Sequence, residues 1–164
     1  MLRLGNWYGI KDGDARGFAL YQRHYSSLPY ADGRRSDPSN PARYLFVGPG
    51  QKMVLLTADS RALFVWRKFI DKSDQHGINC AVFRNESNVL SSELILEAEQ
   101  LAWRRWPGER LYTYVNGRKI ISVNPGFCFK KAGWQLVRNE NGKPLRTTKN
   151  LYILEKFPDR AEQK

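Results

Sequence analysis

The sequence is short of the residues that build metal centres and disulfide frameworks. It has two cysteines, Cys80 and Cys128, and two histidines, His24 and His76, in 164 residues. Two separated thiols make no disulfide framework, and so few ligands without paired spacing predict no metal site. Long apolar runs are missing as well. None reaches the ~20 residues of a membrane span. The opening residues Met1-Leu2-Arg3-Leu4-Gly5-Asn6-Trp7 carry neither the apolar stretch nor the small-residue cleavage site of a secretory signal. The expectation is a cytoplasmic protein with no membrane partner. Also absent are a Gly-Lys-Ser/Thr phosphate loop, a Gly-x-Ser-x-Gly elbow, a dinucleotide fingerprint, internal repeats and low-complexity tracts. Acidic residues are few beside basic ones: 16 Asp and Glu against 27 Lys and Arg, a net charge of +11.

What is present suffices for one core. At 41% hydrophobic and 13% aromatic, the chain is read as a single domain over 1–164, with a long basic loop at 27–43 and a flexible tail at 157–164. The positive charge is spread along the chain in pairs: Arg34-Arg35, Arg67-Lys68, Arg104-Arg105, Arg118-Lys119 and Lys130-Lys131. Folding would have to gather them into a patch for nucleic acid or a phosphorylated cofactor. A solvated basic surface that only keeps the protein soluble is the plainer reading.

Residues 14–26 place Phe18, Leu20, Tyr21 and Tyr25 at near-helical spacing, with Asp14 as cap. A loop rich in proline follows. Residues 44–47, the Gly48-Pro49-Gly50 turn and 53–57 read as a hairpin, which 62–66 and 80–83 continue as a meander. Residues 91–106 are the clearest helix, with Leu94, Ile95, Ala98, Leu101 and Ala102 on one face. Ser91 or Ser92 is the expected cap, Glu93 sits in the first turn, and Arg104 and Arg105 sit in the last. A strand at 111–115, a short helix from Pro125 to Ala132, and closing strands at 134–137 and 151–154 around a polar loop complete an α/β chain of the α+β kind. An edge strand at 111–116 or 134–139 leaves both a monomer and a homodimer open.

The junction between the strand at 80–83 and the helix carries the densest polar chemistry, Asn85-Glu86-Ser87-Asn88 leading to Ser91-Ser92. Free N–H groups at a helix start attract phosphate, and serines add donors. Glu86 reads as a general base, or equally as a cap or the partner of an arginine. Histidine is the side chain whose ordinary range reaches neutrality, so His24 reads as base or acid, or as a residue closing the helix on its last carbonyls. Cys128, between Phe127 and Phe129, reads as a small buried residue rather than a nucleophile. Tyr21, Tyr25, Tyr30 and Tyr44 cluster around Arg34 and Arg35, where aromatics beside arginines could stack a base taken out of a duplex.

The strand ending at Phe83, the helix at 91–106, the strand at 111–116 and the run Asn124-Pro125-Gly126-Phe127-Cys128-Phe129-Lys130-Lys131-Ala132-Gly133-Trp134 together resemble the GNAT (N-acetyltransferase) superfamily over about residues 44–155. Within it, His24-Tyr25-Ser26, Asn85-Glu86-Ser87 and the basic charge look most like the phage Mom-type DNA-modification proteins. The resemblance implies a mixed, mostly antiparallel central sheet flanked by helices. Two positions depart from the superfamily. Its pyrophosphate loop, Arg/Gln-x-x-Gly-x-Gly/Ala, is here Asn85-Glu86-Ser87-Asn88-Val89-Leu90-Ser91 without glycine. An acetyl-CoA or other acyl donor would therefore lack the closest backbone approach. Its proton-donating tyrosine is here Phe129.

On this resemblance the chain is a transferase that modifies a nucleobase in DNA, an adenine amine. Glu86, His24 and Ser87 form the catalytic set, and Asn85, Asn88, Ser91, Ser92 and Asn124 the donor side. Tyr25, Tyr30, Tyr112 and Tyr114 line the acceptor side, with Arg34, Arg35, Arg118 and Lys119 on phosphates. The alternatives are an acyl-CoA-dependent N-acetyltransferase of a small amine or protein, and an inactive module that binds nucleic acid.

Overall fold

The computed structural model describes residues 2–23, 45–70, 74–116 and 126–159. The strands are β1 (Arg3–Leu4), β2 (Trp7–Ile10), β3 (Gln51–Thr57), β4 (Ala62–Lys68), β5 (Ile78–Asn85), β6 (Leu111–Val115), β7 (Gln135–Leu136) and β8 (Tyr152–Lys156). The helices are α1 (Ala15–Gln22), α2 (Ser91–Arg105) and α3 (Phe127–Lys131). They form a mixed α+β architecture around one eight-stranded sheet in the order β1-β2-β3-β4-β5-β6-β8-β7. Every pairing is antiparallel except β5 with β6. A parallel pair needs a crossover, and α2 supplies it.

The alternation of side chains along the strands divides the core. Leu55, Phe64, Trp66, Ile78 and Leu111 pack with Leu94, Ile95, Ala98 and Leu101 of α2 and with Phe129 of α3. Val54, Leu56, Leu63, Val65 and Val82 face the other way and meet Leu20 of α1. The chain's five tryptophans join polar anchoring to this packing, since a buried indole N–H needs an acceptor. Trp7 and Trp66 donate to the Leu94 and Ala98 carbonyls, one helical turn apart on α2. Trp103 donates to the Glu109 carbonyl, Trp106 to Gln51 and Trp134 to Glu99.

Several expected elements form otherwise. Residues 45–50 are not a strand; β3 pairs with β2 and β4 instead. Asp12 explains this locally, because its carboxylate accepts from the Phe46 and Val47 N–H groups, which a strand would have used in a ladder. Phe46 then stacks on Tyr21 at 5.0 Å. The N-terminal hairpin β1–β2 was not expected at all. It turns at Gly5, whose φ of 58° suits glycine, and Asn6 is clamped to Glu97 of α2 by two hydrogen bonds of 2.9 Å. Neither Ser91 nor Ser92 caps α2; Leu90 holds that position without a side-chain bond. Asp14 does cap α1, accepting from the Arg16 N–H. The strand β6 is interior, between β5 and β8, so it offers no free edge to a second copy. The expected loop at 27–43 lies outside the described residues, as do the start of the short helix and residues 160–164.

Candidate functional site

The strand β5 loses register on both sides at one point. Against β4, Val65 pairs with Val82 but Trp66 pairs with Cys80, leaving Ala81 as the extra residue of a bulge. Against β6, parallel pairing covers Ile78, Cys80 and the residue between them, and ends at Cys80–Thr113. Both strands run on, β5 to Asn85 and β6 to Val115, so they separate beyond that pair. Among the described residues, the β6-side backbone of 81–85 has no strand partner. The mouth between them faces the start of α2, because α2 follows β5 in the chain.

The loop 86–90 that bridges β5 to α2 is held by its own side chains. Asn85 Oδ1 accepts from the Ser87 N–H at 2.9 Å and from its hydroxyl at 2.6 Å. Asn85 Nδ2 donates to the Val89 carbonyl and to Ser91 Oγ, and Ser87 Oγ accepts from the Val89 N–H. Asn85 and Ser87 therefore shape the loop, and three of its amides are already used, those of Ser87 and Val89 and that of Glu86, which donates to the Arg61 carbonyl. The N–H groups of Ser91 and Ser92 open α2 with no acceptor inside the helix. Helix-start amides of this kind suit one phosphate, but residues 85–91 contain no glycine and so lack the cradle of successive glycine amides that a pyrophosphate uses.

Glu86 is engaged by two guanidinium groups: Arg23 at the end of α1 binds it through Nε at 2.7 Å, and Arg84 of β5 at 2.9 Å. Arg84 also donates to the Arg23 carbonyl. The cluster ties the end of α1 to the end of β5. Its first cause, the Arg23 hydrogen bond, holds the Glu86 carboxyl below its ordinary value of 4.5 and raises Arg23. Glu86 thus takes the arginine-partner form, one of the three readings its sequence left open. A depressed carboxyl contributes stability that is present above its unfolded value and lost as pH falls through the folded one. The melting-temperature gap between wild type and Glu86→Gln should accordingly be constant near neutrality and shrink as pH falls below the ordinary carboxyl value of 4.5. A gap that widens on acidification, or no gap at neutral pH, would contradict the ion-pair assignment.

Of the aromatic pair on β6, Tyr112 is wholly buried and carries the Arg110 guanidinium 5.0 Å from its ring centroid. It is a core residue. Tyr114, half-buried and edge-on to it at 5.6 Å, is the one placed toward the separated strand ends. Phe129 is wedged edge-on against Phe83 and Trp134, at 5.9 and 4.9 Å, which accounts for an apolar ring there. Burial pushes both thiols, Cys80 and Cys128, above the ordinary range, so neither is a nucleophile at neutral pH. Asn88 is exposed on the loop. His24, Tyr25, Tyr30, Arg34, Arg35, Arg118, Lys119 and Asn124 lie outside the described residues.

A separate cleft of about 320 Å³ reaches Ser87 and Val89 from the side of the N-terminal hairpin, between Arg3, Asn6, Thr57 and Asp59. Sequence reasoning missed it because it missed the hairpin. Among the described residues no three His, Cys, Asp or Glu side chains are grouped to hold a metal ion, and no helix is long and apolar enough to cross a membrane. Comparison with protein-family models, curated proteins and solved structures finds no match to this chain.

Proposed function

We infer that the protein is a GNAT-fold transferase that modifies a nucleobase in DNA, an adenine amine being the acceptor. The observation that carries the reading is the single parallel pair β5–β6, which opens at the Ala81 bulge onto the start of α2. Backbone left without a strand partner beside a helix N-terminus is suited to holding an extended donor with an anionic end. The placement of a short helix, α3, before β7 and then β8 supports the same family reading. The net charge of +11 supports a polyanionic acceptor. Within this reading Asn85 and Ser87 position the loop, Ser91 and Ser92 face the donor, Tyr114 borders the acceptor, and the Arg23–Glu86–Arg84 cluster fixes α1 against the mouth. His24 is the remaining candidate to accept the amine proton.

Nucleoside mass spectrometry on DNA from cells expressing the protein tests this. A new adduct mass, absent from cells without it, is expected and identifies the transferred group. Unmodified DNA in the presence of folded protein overturns the reading. Two observations favour a second reading, an inactive module that binds nucleic acid: Glu86 is occupied by arginines, and Phe129 replaces the family's acid. Tight DNA binding without any adduct would select it.

A further inference from the structure

We propose that residues 138–150, which join β7 to β8, form a rigid basic arm that grips the backbone of duplex DNA beside the mouth. The proposal rests on the nucleic-acid reading but not on transferase activity.

The segment has the composition of a linker: exposed almost throughout, with Arg138, Lys143, Arg146 and Lys149 against one acid, Glu140. Such a stretch ordinarily cannot order itself, having little apolar surface to bury. Here hydrogen bonds order it as two successive turns. In the first, Asn139 Oδ1 accepts from the Asn141 and Lys143 N–H groups, the Asn139 N–H donates to the Lys143 carbonyl, and the Leu145 N–H donates to that of Val137. In the second, the Thr147 N–H donates to the Leu151 carbonyl and Thr147 Oγ1 accepts from the Leu151 N–H. Arg146 lies over the Tyr152 ring, bonded to its hydroxyl and to Asn150. Among the described residues none of the four cations is paired with a carboxylate. Arg138 and Arg146 are held in place and Lys143 and Lys149 are exposed on an ordered backbone, so the charges meet phosphate with little backbone ordering cost.

The register places the arm. Tyr152 opens β8 opposite Val115, which closes β6, and β5 runs parallel to β6. The arm therefore leaves the sheet at the end where β5 and β6 separate. It is two strand spacings from β5, roughly 10 Å. A duplex laid across the mouth would meet it. The partner is assigned as duplex DNA because four basic side chains without a carboxylate partner stand together beside the mouth, and evenly spaced backbone phosphates are the polyanion that complements them.

The test is fluorescence anisotropy of the full chain with a labelled duplex about two helical turns long, titrated at several salt concentrations between about 50 and 200 mM. Lys143→Ala with Lys149→Ala is the variant, since these side chains make no bond that holds the arm. Its melting temperature should match wild type, and its log–log salt slope should be shallower by about 2. Lys68→Ala with Arg104→Ala, at the opposite end of the sheet, should leave the slope unchanged. Equal slopes for the arm variant and wild type, equal loss in both variants, or tighter binding to single-stranded RNA would each overturn the arm. A shallower slope alongside unmodified cellular DNA would sustain the arm while the transferase reading failed.

Discussion

Replacing Glu99 by alanine should destabilise the protein by about 3–5 kcal/mol, the cost of breaking a largely buried ion pair by removing one partner. Glu99 sits on α2, 1% exposed, amid Ile95, Ala98 and Trp103. Its Oε2 accepts from the Trp134 indole at 2.8 Å and its Oε1 from Lys156 Nζ at 2.7 Å. Lys156 also donates to the Ala132 carbonyl. One carboxylate thus ties α2 to β8 and to the residues that end α3. Alanine would strand the Trp134 N–H and the Lys156 ammonium, and leave a cavity among apolar neighbours. Against a total stability of roughly 5–15 kcal/mol, that is a large share. Lys156→Met should also be severe, because it removes the ammonium that the buried Glu99 carboxylate binds at 2.7 Å. The pair Glu99→Leu with Lys156→Met should recover much of the loss, since apolar replacements remove the desolvation cost together. Urea unfolding of the four proteins decides it: singles within about 1 kcal/mol of wild type, or a double that is merely additive, would contradict a buried coupled pair.

Glu99 also marks where reading from sequence stops. The face Leu94, Ile95, Ala98, Leu101 and Ala102 was legible because helical spacing repeats apolar residues, and the structure buries all five. Glu99 breaks that pattern; its partners Trp134 and Lys156 lie 35 and 57 residues away, and spacing carries no information about them. The hairpin β1–β2 was missed for a related reason. Its strands of two and four residues are too short for alternation to show, and its stability comes from Trp7 beneath α2 and the Asn6–Glu97 clamp. Residues 44–47 misled in the opposite direction: Tyr, Leu, Phe and Val in a row have strand composition, but Asp12 takes the Phe46 and Val47 amides. At the site, the polar run 85–92 stood out because a buried strand rarely needs so many donors. Which of those donors face each other was not legible, so Asn85 and Ser87 read as ligand contacts and turn out to hold the loop.

Replacing Ser92 by aspartate should move stability and function in opposite directions. Ser92 lies in the first turn of α2, where backbone N–H groups have no helical acceptor. A carboxylate there interacts favourably with the helix dipole and should raise stability by about 0.3–1 kcal/mol. The same charge occupies the place proposed for the anionic end of the donor and repels it. Loss of even 1.4 kcal/mol of donor binding is a tenfold effect, so at limiting donor the adduct yield should fall about tenfold or more. Ser92→Ala removes one hydroxyl but keeps the amides, and should retain most of the yield. DNA binding should change little in either variant, since the arm lies on β8 and the donor end on α2. Thermal unfolding, adduct yield and DNA anisotropy measured on the same three proteins separate the cases. A more stable Ser92→Asp protein with undiminished adduct would remove the start of α2 from the donor site. A less stable one would assign the loss of yield to misfolding and contradict stabilisation by the helix dipole.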